Sequence, residues 1–293
     1  MDKHLSYWEN NVDVKDFTNW HSTTDHIHKL SLLSGYIHNR EYNSVLDCGA
    51  GNGTLYKVLK GLNLDIKYKG IDLTQKLVAD AQNSMIDVEY GDIEQLPFEN
   101  ESYDVCVAVD ILNHLYDYRP ALREMFRVAK KNIVFTTFKP SVGNVGYLFP
   151  DQKPMVIGWY PGAWDRGNLP NTCPRLGFYP GRTRHSNYII TAVKEKTYAS
   201  PFGFYKHAKK DEQGNPILIH HHYDNHKLYA NIKSIAKENN TEYKINYSFS
   251  NDQHRLAYLE KYSELNDEER NDVPHISAYA DIFYIDKVGT TDG

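Results

Sequence analysis

The stretch Asp47-Cys48-Gly49-Ala50-Gly51-Asn52-Gly53 follows the short apolar run Val45-Leu46 and leads into a helix-like segment that begins near Thr54. Glycines at alternate positions permit backbone angles closed to other residues and let the main chain approach a ligand that a Cβ would repel. The first turn of the following helix offers unpaired N–H groups. The stretch therefore reads as a glycine-rich turn closing a strand, a place suited to a nucleotide-like ligand.

Two acids further along narrow the choice of ligand. Asp72 ends Tyr68-Lys69-Gly70-Ile71-Asp72, a second short strand, and its carboxylate stands where it could accept from both hydroxyls of a ribose. Asp92, in Val88-Glu89-Tyr90-Gly91-Asp92-Ile93, follows a third strand-like piece and could accept from an exocyclic amine such as that of adenine. The separations, 25 residues from Asp47 to Asp72 and 20 from there to Asp92, suit successive strand–helix units whose strand ends return to one sheet edge. A dinucleotide fingerprint needs G-x-G-x-x-G, and Thr54 stands where its third glycine belongs, which argues against NAD.

Taken in order, D-C-G-A-G-N-G, G-I-D-L, G-D-I and D-I-L-N-H-L resemble the class I S-adenosylmethionine-dependent methyltransferases, in particular their small-molecule, type 11-like members. The resemblance runs over residues 40 to 138, with a weaker echo beyond 223. It implies S-adenosyl-L-methionine as cofactor, with contacts from Asp47, Gly49, Ala50, Gly51, Asn52, Asp72, Leu73, Asp92, Ile93 and Asp110. Asp72 would hold the ribose, Asp92 and Ile93 would frame the adenine, and the glycine turn with Asp47 would face the methionine half. Methyl transfer is an in-line displacement, so the protein mainly aligns the acceptor and excludes water. A hydroxyl acceptor must lose its proton, and His114 follows the fourth strand where resembling enzymes border both cofactor and acceptor; it is the candidate general base.

The expected fold is α/β, a Rossmann-like doubly wound seven-stranded sheet with an inserted β-rich cap. Apolar steps at Ile27, Leu30, Leu33 and Ile37 predict a helix before the first strand, covering the cofactor edge. Strands are expected at 44–48, 67–72, 87–91, 103–109 and 132–138, and helices at 54–60, 75–83 and from Pro120 to near the Lys130-Lys131 pair. Residues 1–138 would hold the N-terminal lid and cofactor core, 139–223 the cap, and 224–293 strands six and seven, around Tyr243–Phe249 and Ala280–Ile285.

The cap is set apart by its prolines, its aromatic residues and its charge. It carries 11 Lys plus Arg against 5 Asp plus Glu, a balance of +6 that leaves −11 for the rest of the chain. Arg166, Arg175, Arg182 and Arg184 could clamp an anionic group on the acceptor. Trp159, Tyr160, Trp164, Phe178, Tyr179, Phe202, Phe204 and Tyr205 could box a flat ring or form the cap's own core. Tyr116, Arg182 and His221 are the candidate acceptor contacts. In His220-His221-His222 a continued strand puts the outer two on one face, but no acidic partner supports a metal, and none is expected.

With 293 residues, 41% hydrophobic, the chain can bury a substantial core, and a net charge of −5 argues against wholesale nucleic-acid binding. Three cysteines without paired spacing and no apolar run near membrane-spanning length lead to the expectation of a soluble, cytoplasmic protein without a membrane partner. Small-molecule methylation at oxygen or nitrogen is the favoured reading, with the oligomeric state left open. RNA methylation through the basic cap and a non-catalytic interaction module are the alternatives; the absence of an N-P-P-Y motif weighs against methylation of nucleic-acid bases. An aminopropyl transferase of the same fold would want an acidic acceptor pocket, which the basic cap does not offer.

Overall fold

A computed structural model describes residues 3–137, 145–147, 155–158, 189–190, 197–201, 203–210, 212–214, 216–223, 225–250, 255 and 280–288. The chain opens with helices α1 (Lys3–Asn11), α2 (Val14–His21) and α3 (Thr24–Asn39). Alternating units follow: β1 (Ser44–Cys48), α4 (Thr54–Gly61), β2 (Lys67–Asp72), α5 (Gln75–Asn83), β3 (Val88–Tyr90) and β4 (Tyr103–Ala108). After a 3-10 turn at Leu112–His114 come α6 (Arg119–Val128) and β5 (Ala129–Thr136). Next are the short strands β6 (Val145–Tyr147), β7 (Met155–Gly158) and β8 (Ile189–Ile190), then β9 (Thr197–Ser200), β10 (Gly203–Lys210) and β11 (Pro216–Tyr223). Helix α7 (Asn225–Glu238) and strands β12 (Glu242–Ser248) and β13 (Ile282–Val288) complete the described elements.

Seven strands form one sheet in the order β12-β13-β5-β4-β1-β2-β3. Strands β1 to β5 run parallel, and β13 enters antiparallel between β5 and β12. This is the expected Rossmann-like sheet. Both of its faces are covered, so its central strands bury apolar residues on both sides rather than alternating. Leu46, Cys48, Cys106, Ala108, Ile133 and Phe135 pack with Leu122, Met125 and Phe126 of α6 and Leu228 and Ile232 of α7. Their neighbours Val45, Val105, Val107 and Val134 pack on the other face with Leu30, Leu33 and Ile37 of α3, Leu55 and Leu59 of α4, and Val78 of α5.

Two local features depart from the sequence reading. The helix expected to end near Lys130-Lys131 ends at Val128, and the strand expected from Asn132 begins at Ala129, so both lysines lie in β5. Ala129 already pairs with Tyr103, and the Lys131 Nζ sits 3.0 Å from Asp104 Oδ1, so strand pairing and an ion pair claim residues that helix spacing would have carried on. Helices α1 and α2 were not expected, because their sequences are polar and no residue of α2 is buried.

The segment between β5 and α7 contains two small antiparallel sheets, β6-β7-β8 and β11-β10-β9. Arg166, Arg175, Arg182 and Arg184, with Trp159, Tyr160, Trp164, Phe178, Tyr179 and Phe202, lie outside the described residues. Among the described residues no helix is long and apolar enough to cross a membrane.

Phe126 is fully buried between α6 and the sheet. Phe126→Ala should destabilise the fold by about 3–5 kcal/mol through lost burial and an unfilled cavity. Urea unfolding followed by circular dichroism checks this, with the midpoint shifting and the slope unchanged.

Candidate functional site

Strands β1 and β4 are neighbours at the centre of the sheet, and the chain leaves β1 towards β3 but leaves β4 towards β5. Such a reversal opens a crevice at the carboxyl ends of the two strands. The turn after β1 lies there, with φ of 84° at Gly49, 55° at Gly51 and 77° at Gly53, all in the left-handed region. Its amides are largely satisfied within the chain: Gly49 N and Ala50 N donate to Ile71 O at 2.7 and 3.0 Å, and Gly53 N donates to Ala50 O at 2.9 Å. Gly53 caps α4 without any side-chain hydrogen bond. The Ala50 methyl points towards β2, where a Cβ on Gly70 would lie only 2.6 Å from it.

Asp72 is the hinge of the arrangement. Its Oδ2 accepts from Gly51 N at 2.8 Å and its Oδ1 from Thr74 N at 2.7 Å, while its carbonyl accepts from Gly91 N at 3.0 Å. The ends of β1, β2 and β3 therefore meet at one edge, and Asp72 and Asp92 share it. Burial pushes the Asp72 carboxyl up, opposed by the Thr74 and Gly51 hydrogen bonds. Leu73, beside it, is half-buried. Asp92 is half-buried and accepts from Glu94 N at 2.8 Å, while Ile93 turns into the core. Asp47 is buried beneath the turn, where Tyr68 Oη donates to its Oδ2 at 2.7 Å. Burial pushes its carboxyl up to about 7, although the Tyr68 hydrogen bond favours the charged form.

Helix α2 lies over the glycine turn: a Cβ on Gly51 would come within 2.6 Å of Phe17 Cζ. Asn52, expected to touch cofactor, is buried and points its amide into the helices, donating to Thr18 Oγ1 at 2.9 Å and Asp80 Oδ2 at 3.1 Å. Tyr90 Oη donates to Glu9 Oε1 at 3.1 Å, and the Trp8 ring packs edge-on to His114 at 5.0 Å. Asp110, also expected at the cofactor, is buried, and both its carboxylate oxygens accept from Lys29 Nζ at 2.8 and 2.9 Å. Sequence reasoning passed over Trp8, Phe17, His26 and Lys29. One usable signal was Asp13-Val14-Lys15-Asp16, since Asp13 Oδ1 caps α2 by accepting from Asp16 N at 2.9 Å.

His114 closes the 3-10 turn with Nδ1 at 3.2 Å from Ile219 O of β11, and His220 lies 5.3 Å away ring to ring. Burial, with His220 next in weight, lowers its pKa to about 4, so the ring is neutral at physiological pH. His221, expected at the acceptor, is instead fully buried, its Nδ1 at 3.2 Å from Leu115 O. There it helps Tyr223 Oη, which donates to Leu115 O at 2.7 Å, to fix the loop after the 3-10 turn. Tyr116 is exposed, with its ring 5.9 Å from that of His221. Among the described residues no group of three His, Cys, Asp or Glu is placed to hold a metal.

This geometry agrees with what similarity finds. Residues 46–136 match the methyltransferase domain family. An ajmaline N-methyltransferase of Rauvolfia serpentina is 32% identical over 95 residues, 29% of this chain and 32% of that protein. A demethylmenaquinone methyltransferase of Thermotoga maritima is 32% identical over 89 residues, 30% of this chain and 39% of that protein. The chain spans between 32% and 49% of the length of the curated relatives it matches. A solved S-adenosylmethionine-dependent methyltransferase of Methanosarcina mazei aligns over 86% of this chain and 95% of its own, with 14% identity and a TM-score of 0.43. Over residues 46–136 the chain is thus similar to the S-adenosylmethionine-dependent methyltransferases, whose cofactor is S-adenosyl-L-methionine.

The buried Asp47 gives a pH test. Its folded pKa of about 7 lies above the ordinary 3.8, so the native state holds the proton more tightly and ionisation on raising the pH from 4 to 7 costs stability. Asp47→Asn should match the wild type near pH 4 and exceed it at pH 8. The excess should be on the order of 1.4 kcal/mol for each tenfold difference in proton affinity between the folded and unfolded chain. Paired urea titrations at the two pH values check the sign.

Proposed function

We propose that this chain transfers the methyl group of S-adenosylmethionine to a small-molecule acceptor, at oxygen or nitrogen. The observation that carries the reading is the Gly51 N to Asp72 Oδ2 hydrogen bond of 2.8 Å, which joins the glycine turn and the β2 acid in one rigid corner of the crevice. The corner fits the cofactor. A carboxylate has about four acceptor positions, and with the two backbone amides and the Thr74 side chain on Asp72 one is left for a ribose hydroxyl. Asp92, on the same edge, suits the adenine amine, and the turn above Asp47 suits the methionine half.

When bound, the cofactor supplies an electrophilic sulfonium methyl. The protein's part is to orient the acceptor against it, exclude water and take a proton. The α1 and α2 helices over the turn, through Phe17 and Trp8, cover the crevice. His114 is the proton acceptor in this reading: a neutral ring that donates from Nδ1 to Ile219 O carries its lone pair on Nε2. With a pKa of about 4 it is a weak base, suited to receiving the proton as the new bond forms rather than to ionising the acceptor beforehand.

Acceptor choice is assigned to residues 139–223, with Arg182 for an anionic group and Tyr116 on the loop beside the site. His221 contributes by holding Leu115. Residues 1–138 and 224–293 would then be the cofactor unit. The ajmaline and demethylmenaquinone relatives support a small acceptor over a polymer.

Calorimetry should show binding of S-adenosylmethionine and none of NAD, with Asp72→Ala weakening the former tenfold or more. A metabolite screen that follows S-adenosylhomocysteine release then identifies acceptors. On a hydroxyl acceptor His114→Ala should lower kcat by about 100-fold and leave cofactor affinity unchanged. Unaltered turnover would remove His114 as base.

A further inference from the structure

Asp110 adopts φ of 57°, a left-handed conformation that a non-glycine residue holds only where its surroundings enforce it. Three neighbours do so here. Its own N–H donates to Thr136 Oγ1 at 2.7 Å, that hydroxyl donates back to Asp110 Oδ1 at 2.7 Å, and Lys29 Nζ from α3 bridges both carboxylate oxygens. His26 Nδ1, also on α3, lies 3.7 Å from Oδ2. The pair is dry, with Lys29 14% and Asp110 6% exposed. Burial would raise the Asp110 carboxyl, but the nearby His26 ring and the Lys29 ammonium outweigh it and hold the group ionised well below the usual range.

What this turn carries gives the pair a purpose. The next residue, Ile111, lies against the glycine turn, so close that a Cβ on Gly49 would overlap its Cγ1. Ile111 O accepts from His114 N at 2.9 Å, so the same turn sets the 3-10 segment. On the helical side a string of rings runs back to the glycines: His26 contacts His21 at 4.6 Å, His21 stacks on Phe17 at 3.7 Å, and Phe17 covers Gly51.

We propose that Lys29 is a positioning residue whose ion pair with Asp110 couples closure of the N-terminal helices over the glycine turn to the placement of Ile111 and His114. The proposal rests on the cofactor reading and goes beyond it by assigning Asp110 to this clasp and not to the ligand. An ion pair that served stability alone would, once broken, lower the stability of the whole sheet. The clasp instead predicts a local effect at the helices and the turn, together with weaker cofactor binding.

The test compares the full-length wild type with Lys29→Met, Lys29→Arg and Asp110→Asn, by hydrogen exchange without ligand and by calorimetry with S-adenosylmethionine. Asparagine tolerates the left-handed turn and removes only the charge, so Asp110→Asn reads the clasp even where Lys29→Met fails to fold. Lys29→Met and Asp110→Asn should speed exchange in residues 14–28 and 110–115 while β1 and β2 stay protected, and should weaken the cofactor at least tenfold. Lys29→Arg should restore most of both. Exchange faster evenly across the sheet, or cofactor affinity within twofold of wild type, overturns the clasp. If the wild type itself binds no S-adenosylmethionine, the cofactor reading falls, and the exchange pattern alone decides whether the clasp stands.

Discussion

The carboxylate of Asp72 is the constraint on which the rest of the edge depends. With one oxygen it takes the amide of Gly51 and with the other that of Thr74, so a single side chain fixes the exit of β1 and the exit of β2. It is buried, and leaving either amide unpaired there would cost about 1–3 kcal/mol. The glycine turn is rigid for that reason. Its left-handed angles are open to glycine without strain, but it is the acid 21 positions downstream that selects one geometry among those glycine allows.

A second layer of constraint comes from outside the sheet. Thr18, through the Asn52 amide, and Lys29, through the Asp110 carboxylate, attach α2 and α3 to the two turns that flank the topological reversal. In both cases a side chain that sequence position would aim at a ligand is turned towards a helix. Removing one partner of a buried ion pair leaves the other charge uncompensated, so the helices and the turns hold together or separate together.

The sheet was legible in the sequence because β1, β4 and β5 carry apolar runs bounded by turn residues, while β2 and β3 were marked by the turns at Asp72 and Asp92 that follow them. Strand β2 and helix α5 fall on the bounds that pattern alone suggested, 67–72 and 75–83. The first two helices were not legible, since α2 buries no residue fully and its hold on the protein is a ring and a hydroxyl, Phe17 and Thr18. Asp110 shows why site chemistry resists the same reading: its partner stands 81 positions away. A carboxylate at a strand end looks the same in sequence whether it meets a ribose, as proposed for Asp72, or a lysine.

The electrostatics of the edge follow from these attachments. His21, His114 and His221 are each lowered to about 4, chiefly by burial, so three imidazoles beside the crevice are uncharged at physiological pH. Lys29 compensates the Asp110 charge, and Asp47 is near its midpoint at neutral pH. Asp72 stands on the same edge, its carboxyl pushed up by burial and held down by the amides of Thr74 and Gly51. Wherever water is excluded from that edge, the attraction between its carboxylate and an opposite charge grows. In the proposed reading, a cationic sulfonium ligand would meet its attraction at Asp72 and neutral imidazoles on the His114 side. That division is what a displacement reaction needs, because charge near the migrating methyl would hold the sulfonium in place, whereas distant charge binds the cofactor without opposing transfer.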